Sequence, residues 1–65
     1  MDPKEIFELL VKADEKLKYA TDERGAQRRD QAKALLEEAK SEAESIGNDG
    51  LATQAQTRLD DLAAI

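Results

Sequence analysis

Cysteine, histidine and tryptophan are missing from this chain of 65 residues, and proline occurs once. Without cysteine no disulfide can staple the fold, and without histidine a principal metal ligand is gone. A serine triad built on Ser41 or Ser45 would have no histidine base. Aromatic side chains are limited to Phe7 and Tyr19. Tyr19 has no neighbouring histidine, cysteine or lysine arrangement to make it an acid or nucleophile, so it reads as a core-edge aromatic. No glycine-rich phosphate loop is present. No long apolar run occurs either: "MDPKEIFELLVK" lacks a basic leader and is interrupted by Glu8, which fits neither a signal peptide nor a membrane span. β-Branched residues are few, so strands have little to be built from.

What the chain does hold is charge and helix formers. Acidic residues outnumber basic ones by 15 to 10, giving a net charge of −5, which opposes binding to nucleic acid or to an anionic membrane surface. Charged residues make up 38% against 40% hydrophobic, too apolar and too regularly spaced for a disordered tail. Ala, Glu, Lys, Leu, Gln, Arg and Asp dominate, and the expected class is all-α. At this length the chain is one small domain over residues 1–65, with a core of marginal size.

Three helices follow from the spacing, at about 3–22, 27–46 and 50–63, in a mostly antiparallel bundle. "DPKE" sets Asp2 at an N-cap, Pro3 at the first helical position and Glu5 three residues after the cap, a capping-box arrangement. Ile6, Leu10, Ala13, Leu17 and Ala20 then form one stripe. Glu8 with Lys12 and Asp14 with Lys18 are spaced to pair on the wet side. In the second helix Ala32, Leu36, Ala39, Ala43 and Ile46 repeat the pattern, with Leu35 widening it. Gly47 stands where a left-handed cap is wanted, and Asn48 or Asp49 can cap the third helix. Leu51, Ala52, Ala55, Leu59 and Leu62 carry the last stripe.

Between the first two helices lies "TDERGAQRRD", with three of the four arginines and no apolar side chain larger than Ala26. Two readings fit it. In one, Gly25 is the glycine just past the first helix and Arg24 sits in that helix's last turn. In the other, the first helix ends near Ala20, Thr21 or Asp22 caps the second, and Gly25 lies inside the second helix. Both place Arg24, Arg28 and Arg29 near a helix–helix corner, where Asp22, Glu23 and Asp30 can relieve their repulsion.

The first helix also has more apolar residues than one stripe uses. Phe7 and Val11 make a second ridge, and Leu9 lies on the opposite flank. Two arrangements accommodate them. Phe7 and Val11 could face the third helix while Ile6 and Leu10 face the second, or the surplus could form an exposed patch for a partner chain. The paired acids Asp14-Glu15, Glu37-Glu38 and Asp60-Asp61 point about 100° apart on a helix, so they converge on neither an ion nor a bond. "GNDG" at 47–50 lacks the alternating oxygen ligands and distal glutamate of an EF-hand and reads as a corner.

"RRDQAKALLEEAKSEAESIGNDGLATQAQTRLDDLA" resembles the second helix of a tetratricopeptide-type repeat running into the first helix of the next. Ala32 and Ala39, seven apart with Leu36 between them, match the small and large positions of that second helix. Ala20, twelve residues earlier, and Tyr19 match positions of the first. The family's tryptophan and closing proline are absent, Glu44 standing in the place of the latter. The resemblance covers one repeat plus a following helix and implies tetratricopeptide-like helix packing and protein–protein interaction without catalysis. The expected role is therefore a non-catalytic interaction or assembly module in the cytoplasm, with no cofactor and no evident small-molecule substrate. Its partner would be another protein or a second copy, docking on Phe7, Leu9 and Val11 with Arg24, Arg28 and Arg29 at the rim. The alternative is a purely structural or engineered small bundle with no ligand.

Overall fold

The computed structural model describes residues 1–20 and 24–64. It contains three helices: α1 over Pro3–Lys18, α2 over Gly25–Ser45 and α3 over Asp49–Ala63. No strand occurs among the described residues. The protein is an all-α three-helix bundle.

Helix α1 starts as its sequence prescribes. The Asp2 carboxylate accepts from the Glu5 N–H at 2.8 Å, and the Glu5 carboxylate accepts from the Asp2 N–H at 3.2 Å. Two donors that have no partner inside the helix are thereby satisfied at once. The helix stops earlier than its apolar stripe. Tyr19 is the C-cap, with φ −103° and ψ 14°, and the Ala20 N–H turns back to the Leu17 carbonyl at 3.2 Å. The expected extension to Ala20 is therefore a turn, and the extension over residues 21–22 falls outside the described residues.

The core forms where the stripes meet. Ile6, Leu9, Leu10 and Ala13 of α1 pack with Ala32, Leu36, Ala39 and Ala43 of α2 and with Leu51 and Ala55 of α3. Of these only Ile6, Leu10 and Leu36 are large and fully buried. Alanine dominates the α2 face, which lets helix axes approach closely but contributes little area per residue. Leu17, Leu35, Ala52 and Leu59 close the margins.

Helix α2 is the central element. Both α1 and α3 pack along it, whereas α1 and α3 meet each other only sparsely. The Met1 ammonium lies 3.6 Å from Glu42, late in α2, so α1 and α2 run antiparallel. The Lys40 ammonium donates to Gln56 Oε1 at 2.6 Å across the second seam. With two seams and almost no third, the Cα trace measures 37 × 20 × 13 Å. Its radius of gyration of 11.5 Å exceeds the roughly 10.7 Å expected for a compact chain this long. The bundle is flattened.

Candidate functional site

The ridge on α1 is exposed. Phe7 and Val11 leave 49% and 39% of their surface in solvent, so no helix covers them fully. Leu9 departs from expectation, being 8% exposed and part of the core. The helical wheel explains it: Leu9 lies about 60° from Ile6 on the buried side, whereas Phe7 and Val11 lie about 100° and 140° round the other way. Leu9 widens the core stripe and is unavailable to a partner. On the ridge side α1 carries Asp14, whose carboxylate accepts from Arg58 Nε at 2.9 Å and from a second guanidinium nitrogen at 3.2 Å. This bidentate pair bridges α1 to α3, and it takes Asp14 away from the expected partner Lys18. Among the described residues Glu8 and Lys12 likewise form no ion pair. Phe7 thus faces the side of α1 that borders α3.

The arginines do not form a rim to this ridge. Arg24 and Arg28 share a polar cavity with Lys16, Gln27 and Gln31. Lys16 stands about 140° around α1 from Val11, so that cavity opens on a different side of the helix. Arg29 turns away from both. Its guanidinium reaches the Ala20 carbonyl at 3.5 Å and lines the gap between the C-terminal ends of α1 and α3. Arg29 also lines the cavity between α2 and α3, so the three side chains do not share one place.

Gly25 explains why the corner can be this tight. It opens α2 and is buried, and its φ is not positive, so it is not the left-handed cap of α1. A Cβ built there would sit 2.8 Å from the Ala20 carbonyl oxygen and 3.2 Å from Arg29 Nη1. The glycine is present for close approach of backbone to backbone. Arg24 is the N-cap of α2, without a side-chain capping bond, and no acidic residue occupies the first turn. The expected caps Thr21 and Asp22 lie outside the described residues. Tyr19, expected at the core edge, is instead 56% exposed, with the Lys18 ammonium 5.7 Å from its ring centroid.

Charges of both signs also meet between α2 and α3. A cavity of about 630 Å³ between α2 and α3 has Arg29, Lys33, Lys40, Asp30, Glu37, Glu44 and Asp60 in its lining, with Leu59 and Leu62. Among the described residues no three acidic side chains are grouped to hold a metal ion, and no helix is long and apolar enough to cross a membrane. The structural features that sequence reasoning missed are the convergence of Lys16 with Arg24 and Arg28 and the bond of Asp14 to Arg58. Both join residues on different helices, and no local spacing signals them. Compared with protein-family models, curated proteins and solved structures, the chain matches none, so its likeness to the tetratricopeptide pattern rests on its own residues.

Proposed function

We propose that this chain is a non-catalytic protein-interaction or assembly module that docks a protein segment, or a second copy of itself, on the Phe7–Val11 ridge. The observation that carries the reading is the exposure of these two large apolar side chains in a molecule whose buried core is half alanine. A chain this short gains from burying every large apolar group, so leaving Phe7 half exposed forgoes stabilisation of about 1 kcal/mol. A partner that covers the ridge would recover it. The flattened arrangement, with α1 and α3 both on α2 and nearly free of each other, supports tetratricopeptide-like packing of the kind used to present such surfaces. The location proposed with this role is the cytoplasm.

Sedimentation equilibrium at micromolar concentration tests the self-associating form. A dimer that weakens in Phe7→Ala and Val11→Ala, with helicity by circular dichroism unchanged, is the expected outcome. Where the chain is a strict monomer, binding of a hydrophobic dye that is lost in the same variants supports a surface for another protein. A monomer that binds no dye would sink the proposal.

A further inference from the structure

Two surfaces on different sides of this molecule match each other in charge and length. Beside Phe7 and Val11, the outer face of α1 carries Lys4, Glu8, Lys12 and Glu15, all exposed and alternating in sign. The α2 wall of the α2–α3 groove carries Lys33, Glu37, Lys40 and Glu44, alternating likewise. Each row advances eleven residues from first to last, about 16 Å of helix. Laid antiparallel, the rows pair opposite charges throughout: Lys4 meets Glu44, Glu8 meets Lys40, Lys12 meets Glu37 and Glu15 meets Lys33. Laid parallel in the same register, like charges meet at every position. A parallel shift that restores the alternation leaves a charge at each end without a partner.

Alternation at this spacing also suits a solvated helix face, so the apolar residues decide. The α3 wall of the groove holds Leu59 and Leu62, each half-buried. On the α1 wheel the Phe7–Val11 ridge and the charged row are neighbouring flanks, centred about 70° apart. With α1 antiparallel to α2, the right-handed turn of the helix brings the charged flank to the α2 wall and the apolar flank to the α3 wall. With α1 parallel, the flanks are exchanged. The hydrogen bond from Lys40 to Gln56 fixes how α2 and α3 are aligned. In the charge-matched register Val11 then lies level with Leu59. Phe7 lies level with Ser41, the smallest side chain of the α2 wall. The groove volume of about 630 Å³ leaves room for both. Lys40 retains donors for Glu8 beyond the one given to Gln56.

We propose that the α2–α3 groove receives α1 of a second copy, antiparallel to α2, so that copies join head to tail. The inference rests on the ridge being an interaction surface and names what covers it. Ridge and groove are different surfaces, so the contact is heterologous. Each joined pair still offers one ridge and one groove, and assembly continues past the dimer. Each charged row sums to zero, so the contact adds nothing to the repulsion between copies of net charge −5. A contact made by one helix face is smaller than a standard interface, which makes the association weak and reversible.

Sedimentation velocity of the full chain from ~10 μM to ~1 mM, a range suited to so small a contact, tests the arrangement. The mean mass should rise continuously past that of a dimer. Phe7→Asp blocks the ridge and Ser41→Arg fills the groove, so each variant alone should be monomeric. Their mixture should form a dimer and nothing larger, because each supplies the surface the other has lost. If Ser41→Arg loses helicity by circular dichroism, Glu37→Lys serves instead by repelling Lys12. Glu15→Lys and Lys33→Glu should each weaken association about fivefold, the upper end for an exposed ion pair. The two reversals combined in one chain should restore it. A mass that stops at the dimer, a mixture that stays monomeric, or a double reversal no better than the single ones would overturn the proposal. A dimer limit that Phe7→Ala abolishes, or a monomer that binds hydrophobic dye, overturns the groove as partner and leaves the ridge an interaction surface. A monomer that binds no dye removes both.

Discussion

The two corners of this bundle reverse the chain in different ways. At the α2–α3 corner every step is local. Ile46 caps α2, Gly47 takes φ 70°, and its N–H donates to the Glu44 carbonyl at 3.1 Å. The Asn48 N–H then donates to the Ala43 carbonyl at 2.8 Å, which completes a Schellman motif. The Asn48 side chain at once accepts from the Leu51 N–H at 3.1 Å to start α3. At the α1–α2 corner the described residues show no side-chain cap, and the constraint comes from across the turn, where the Ala20 carbonyl presses on Gly25. One glycine is used for its backbone dihedral and the other for its missing side chain.

Substitution separates these two uses. Gly25→Ala should destabilise the protein by about 2 kcal/mol, since the new methyl meets backbone that cannot swing aside and overpacking of this kind costs 1–3 kcal/mol. The loss outweighs alanine's higher helix propensity, which is worth at most ~1 kcal/mol within a helix and less at its first position. Gly25→Asn should be at least as damaging. At Gly47 nothing lies within 4 Å of an added Cβ, so space is free and the dihedral alone resists. Gly47→Ala should cost about 1 kcal/mol, and Gly47→Asn distinctly less, because asparagine tolerates the left-handed region. Thermal unfolding of the four variants by circular dichroism checks the ordering. If asparagine is tolerated equally at both sites, the two corners do not differ as described.

The next effect is smaller. Asn48→Ala removes the side-chain acceptor for Leu51 while leaving the Schellman bonds to the backbone intact, and should lower stability by about 1 kcal/mol. Urea unfolding with an unchanged slope and a lower midpoint is the expected form. A change confined to the slope would contradict a capping role.

The same contrast decides what the sequence could show. The Asp2–Glu5 capping box and Gly47 act within a few residues of themselves, so spacing alone identified them, and it narrowed the α3 cap to Asn48 or Asp49, of which Asn48 takes the role. The stripes of Ile6, Leu10, Ala13, Ala32, Leu36, Ala39 and Ala43 were legible for the same reason. Leu9 went to the core because a stripe three residues wide admits a member on its flank, a choice that depends on where α2 lies. The end of α1 at Lys18 and the start of α2 at Gly25 were hidden because the contact between Ala20 and Gly25 exists only after the helices pack. The arginines are the clearest case. Sequence put Arg24, Arg28 and Arg29 together, but one residue of helix turns a side chain by about 100°, and that rotation sends Arg29 to the other side of α2. No reading of the linear chain brings Lys16 into their company.

The smallest expected effect has the opposite sign. Helix α3 carries Asp49 in its first turn beside a side-chain cap, whereas among the described residues α2, the longest helix, starts with neither. Ala26 is exposed in that turn, so Ala26→Glu places a carboxylate near the free N–H groups without disturbing the core. It should stabilise the protein by about 0.5 kcal/mol, within the range for a charge at a helix end. Because the gain is electrostatic and solvent-exposed, it should shrink as sodium chloride is raised toward 1 M, where the Debye length falls to about 3 Å. An equal gain from adding a second acid to the first turn of α3 would show that the α2 terminus is no poorer in compensating charge than its counterpart. A gain at Ala26 alone, lost in salt, would mark the α1–α2 corner as the electropositive end of the molecule.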